Sequence, residues 1–147
     1  MAKRTGAERA DNMVAVLQEW QGIERKAVND VGEIMEKTKS PLLRIIMEII
    51  RHDSLMHHRV QQFLIDSATV SAPSVTREDL ADIWGMIEEH DRTEKKTIEL
   101  AKGLLEDAWT PVQKQLLDYL LKDEAKHDTL LAQLDELKKA MSRSSGA

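Results

Sequence analysis

Four stretches of this chain place apolar residues at alternating steps of three and four, and helix-starting signals fence three of them. Residues three and four apart share one face of an α-helix, so the pattern calls for amphipathic helices and not for strands, whose period is two. The punctuation is explicit. Ser40-Pro41 reads as an N-cap followed by a first helical residue, where proline's missing N–H would lack a partner anyway. Thr76-Arg77-Glu78-Asp79 has the form of a capping box, and Thr110-Pro111-Val112-Gln113 joins a cap, a first-position proline and a box residue. Helices are expected over about 8–38, 41–68, 77–107 and 111–140. The predicted fold is all-α, an antiparallel four-helix bundle forming a single domain over 8–140, with 1–7 and 141–147 frayed. Each helix would be ~40–45 Å long. The segment Thr69–Thr76 reaches ~28 Å at most, which favours up-down-up-down topology; a short crossover between the second and third helices is the other solution.

Composition narrows the function classes. Of 147 residues 41% are hydrophobic but only 3% aromatic, with six glycines and three prolines, a balance that favours helix. The net charge of −5 offers no basic footprint for nucleic acid or an anionic membrane. Lack of cysteine excludes disulfides, thiolate metal ligation and cysteine nucleophiles. The longest mainly apolar run, PLLRIIMEII from Pro41, is broken by Arg44 and Glu48 and is too short for a bilayer. No apolar segment follows Met1-Ala2-Lys3-Arg4, so a cytoplasmic protein without membrane or nucleic-acid partners is expected.

The four stripes share one irregularity. The first runs Met13, Leu17, Trp20, Glu24, Ala27, Val31 and Ile34, and the second Leu43, Ile46, Ile50, Asp53, His57, Val60 and Leu64. The third runs Leu80, Trp84, Ile87, Asp91, Glu94, Ile98, Ala101 and Leu105, and the fourth Leu117, Leu120, Glu124, His127, Leu131 and Leu134. Each is apolar at both ends and polar in the middle, and antiparallel packing would bring the polar middles to one level. Buried carboxylates without partners are costly, and cations relieve them. Oxygen-rich ligation with two imidazoles suits iron or manganese better than zinc. The spacing of Glu124 and His127 is not informative by itself. With 26 acidic residues and five histidines, roughly one acid-x-x-His match is expected by chance. Its place on an apolar stripe is what gives it weight.

A carboxylate on each of two helices and Glu-x-x-His on the other two is the di-iron pattern of the ferritin-like superfamily. Glu24, Glu94 and Glu124-x-x-His127 match it. The chain resembles a small rubrerythrin-type member of that superfamily, erythrin-like and without a rubredoxin domain. The resemblance implies Glu124 bridging two metals, His127 terminal on one, Glu24 terminal, and Glu94 terminal or bridging. It also implies two irons per chain, with manganese or a mixed pair as variants. The implied activity is that of a ferroxidase or peroxidase, an oxidoreductase in which O2 or peroxide oxidises ferrous iron or a reduced partner. An external electron donor is then needed. The second helix departs from the pattern, because Ser54 stands where a glutamate three before His57 belongs. Asp53, four before His57, is the candidate replacement ligand, and His90 and Asp91 are alternative or supporting ligands.

Two further readings follow from particular residues. His90-x-x-x-Glu94 has a spacing used by hemerythrin-like O2-binding bundles, although the first helix carries no histidine. Ser54 also suits a bundle with a degenerate site acting as a non-enzymatic dimeric module. The first half of the second helix is apolar most of the way round, from Leu42 to Ile50, which points to a homodimer through the first and second helices. His52, His58, Lys122, Asp123, Lys126 and Asp128 are expected on the solvated surface, Trp20 and Trp84 in the core, and Trp109 as an end plug.

Overall fold

The computed structural model describes the backbone of residues 2–144 and the side chains of residues 2–140. The described residues form helices and no strand: α1 (Gly6–Lys37), α2 (Pro41–Thr69), α3 (Arg77–Ala81), α4 (Trp84–Asp107) and α5 (Pro111–Ser144). None is long and apolar enough to cross a membrane. The chain divides into two compact units, Met1–Pro73 and Ser74–Ala147.

In the first unit α1 and α2 form an antiparallel hairpin. Ser40 Oγ accepts from the Leu43 N–H, and Pro41 occupies the first position of α2, as its sequence signal predicts. α1 begins earlier than expected, at Gly6, because Thr5 and Glu8 close a reciprocal capping box. The seam is narrow. Leu17, Gln21, Glu24 and Val31 are buried on α1, and Ser54, Gln61 and Ile65 on α2. The predicted α2 stripe lies to one side of this seam: Leu43, Ile50, Val60 and Leu64 are all exposed. α2 meets α1 along Ser54, Gln61 and Ile65, one residue further round the helix. Two helices touch along one line only, so a hairpin buries a single narrow strip of each.

In the second unit α4 and α5 form a matching hairpin, preceded by α3. The expected single helix over 77–107 is two helices. Thr76 and Asp79 make the predicted capping box, and after Ala81 the Ile83 N–H bonds to the Leu80 carbonyl, an i→i−3 bond that breaks the α-helical ladder. Thr110 and Gln113 cap α5 reciprocally. α5 continues to Ser144, so residues 141–144, expected to be frayed, are helical; 145–147 lie outside the described residues. The ammonium of Lys138 sits 3.9 Å above the Trp84 ring, and Trp84 is half-buried. Trp109, expected as a plug, is 80% exposed.

Candidate metal centre

The polar middle of the second hairpin is compact. Glu94 on α4 with Glu124 and His127 on α5 offer three ligand atoms within 4.8 Å of one another. Glu94 is 6% exposed, and its Oε2 is buried with no hydrogen-bond donor. Its Oε1 lies 2.8 Å from His90 Nε2, one helical turn away, and 3.5 Å from His127 Nδ1 across the seam. Glu124 Oε2 accepts from the Thr97 hydroxyl at 3.2 Å and lies 3.7 Å from His127 Nδ1.

Two carboxylates this close cannot both ionise freely, and their acidities separate. The hydrogen bond between them holds the Glu94 carboxyl below its ordinary value, against burial, with His127 and His90 adding to the depression. The same hydrogen bond, then burial and the charge of Glu94, push Glu124 upward. Two carboxylates and an imidazole at this spacing could hold a metal ion.

His127 has a second partner. Its Nε2 lies 3.4 Å from Asp123 Oδ2, on the far side of the ring from Glu94 and Glu124. An imidazole that faces a metal with one nitrogen and a carboxylate with the other is oriented for ligation. Asp123, expected on the solvated face, is half-buried here, and so is Asp128. Asp128 shares a hydrogen bond with Asp91, which raises Asp128, while Lys95 is the main cause that lowers Asp91. Asp91 belongs to this neighbouring acid pair and is not part of the three-ligand group.

The first hairpin holds a sparser version. Glu24 is 7% exposed, and its Oε1 lies 3.2 Å from His57 Nδ1 and accepts from the Trp20 indole at 3.1 Å. Trp20, expected in the core, is 48% exposed, with its N–H bound to Glu24. Ser54 is buried and, with Glu24, Val28 and His58, lines a small open pocket. His58, expected on the surface, is half-buried, with Nε2 3.1 Å from the Arg25 guanidinium. Asp53 is exposed, with no hydrogen bond or ion pair to His57 among the described residues.

The two hairpins are in the same register, 70 residues apart. Glu24 pairs with Glu94, His57 with His127, Asp53 with Asp123, and Ser40-Pro41 with Thr110-Pro111. α1 and α4 end at equivalent positions, Lys37 and Asp107, and α2 and α5 begin at Pro41 and Pro111. The contacts correspond as well: Glu24 Oε1 to His57 Nδ1 at 3.2 Å, and Glu94 Oε1 to His127 Nδ1 at 3.5 Å. This repeat is a signal by which the sequence could have revealed the role of Asp123. It also places Asp53 at the position of Asp123, beside histidine, while the position of Glu124 is held by Ser54. Compared with family models, curated proteins and solved structures, the chain gives no match.

Proposed function

We propose that the chain is a ferritin-like two-metal protein of the rubrerythrin type. The observation that carries the reading is the Glu94, Glu124 and His127 group, with its buried carboxylate oxygen that no donor satisfies. A cation would relieve that oxygen and offset the charge of the neighbouring carboxylates. Within the first hairpin Glu24 and His57 would offer two further ligands, and Asp123 would keep the His127 ring turned for ligation. Iron is the expected metal, with manganese or a mixed pair as variants, and it would supply electrons to O2 or peroxide. The protein's own part is to hold the ligands at fixed distances. An external donor replenishes the electrons. Ile45 and Ile50, exposed on α2, support a homodimer through α1 and α2.

Ser54 favours a second reading, a bundle that keeps the fold as a dimeric module without redox chemistry, because a buried hydroxyl stands at a ligand position. Elemental analysis separates the two. Protein made in iron-supplemented medium, and purified without chelator or histidine tag, is expected to carry iron that a Glu124→Ala, His127→Ala variant lacks. It should then speed the aerobic oxidation of added ferrous iron. Metal-free protein that stays folded would refute the enzyme reading.

A further inference from the structure

We infer that metal loading is ordered: one divalent ion binds first and tightly within the α4–α5 hairpin, through Glu94, Glu124 and His127. A second ion binds weakly at Glu24 and His57. The inference rests on the proposed metal-binding function and adds the occupancy of each half.

The repeat supplies the comparison. Equivalent positions differ at the place that decides ligand number, Glu124 against Ser54, and beside the buried glutamates, where His90 stands against Trp20. The α4–α5 hairpin therefore brings three ligand-type side chains together, with His90 2.8 Å from Glu94 Oε1 beside them, while the α1–α2 hairpin brings two. A serine hydroxyl is a poor substitute for a carboxylate toward a divalent ion, and an indole N–H donates only.

The state of the buried carboxylates points the same way. Glu24 Oε1 already accepts from the Trp20 indole and faces His57 at 3.2 Å, so an ion using that oxygen must displace a hydrogen bond. Glu94 Oε2 is buried with no donor, so an ion bound at that oxygen breaks no hydrogen bond to it. The carboxylates beside the two histidines differ too. Asp123 is half-buried, 3.4 Å from His127, whereas its counterpart Asp53 is exposed. Ligand number, competing donors and histidine orientation all favour the second hairpin.

Cobalt(II) titration of the chelator-treated full chain, followed by its visible absorption and by calorimetry, tests this. The first equivalent is expected to bind at least about tenfold more tightly than the second. A Glu24→Gln, His57→Ala variant should keep the first equivalent unchanged and lose the second. Glu124→Gln should weaken the first at least about tenfold and leave the second. Ser54→Glu, which restores the missing carboxylate, should tighten the second and narrow the gap. Two equivalents of equal affinity, or loss of the first on changing Glu24 and His57, would overturn the ordered loading while leaving metal binding intact. Absence of cobalt binding by the folded wild type would overturn both.

Discussion

Replacing Glu94 by methionine should make the metal-free protein more stable and abolish its high-affinity metal site. Glu94 is 6% exposed, and Oε2 has no donor. A buried polar atom left without a partner costs ~1–3 kcal/mol, and more when charged. Against this stand the contacts of Oε1 with His90 and His127, and the hydrogen bond with Glu124, whose loss is offset because Glu124 then ionises without the Glu94 charge beside it. Both histidine side chains are substantially open to water, at 61% and 41% exposure, so each pair is worth ~0–1 kcal/mol and neither ring is stranded by the change. Methionine has a helix propensity close to that of glutamate and fills the space with apolar atoms. The balance is a gain of about 1–2 kcal/mol, or roughly 3–8 °C in the melting midpoint. Thermal melts by far-ultraviolet dichroism in chelator measure it. Adding divalent ion at about 100 times its dissociation constant should raise the wild type by ~2.7 kcal/mol and leave the variant unmoved. A variant that melts lower without metal would show Glu94 to be a structural anchor, and the reasoning that makes it a strained ligand would fail.

Acidity offers a second check. Glu124 is raised above its ordinary 4.5, so in metal-free protein its contribution is complete below that value and is lost as pH rises through the raised value. Glu94 is lowered, so its contribution is present above 4.5 and is lost as pH falls through the depressed value. Apo-protein melts should therefore show these groups favouring a mildly acidic optimum that added metal shifts upward; a monotonic rise from acid to neutral pH in a matched comparison with Glu124→Gln would count against the shared proton. Asp123→Asn should weaken metal binding ~10–100-fold while preserving helicity, and unchanged affinity would remove Asp123 from the site. Gln61 is 3% exposed with both amide atoms unpartnered, so Gln61→Leu should stabilise the α1–α2 hairpin by ~1–2 kcal/mol. A lower denaturation midpoint would mean that the amide has a partner in solution.

The caps were legible because their chemistry is local. Ser40, Thr76 and Thr110 each bond to a backbone N–H three residues on, and each signal lies within four consecutive positions. Glu124 and His127 were legible for a similar reason, since three residues along a helix set a shared face without help from the rest of the chain. The seam of α2 was not. Its apolar residues nearly encircle the first half of the helix, so periodicity left the choice of face open, and packing against α1 settled it on Ser54, Gln61 and Ile65.

By itself, then, the sequence determined an all-helical chain with ligand-type residues at mid-helix. Only tertiary structure decided which of those residues meet. Glu24 lies 33 residues from His57, and Glu94 30 from Glu124; no local rule joins positions so far apart. Closing each hairpin brought them within contact, bound the Trp20 indole in the first and left Glu94 Oε2 without a donor in the second. The physical reason is one of range: hydrogen bonds along a helix are set within a turn, whereas the desolvation that makes a carboxylate seek a cation exists only after another helix has covered it.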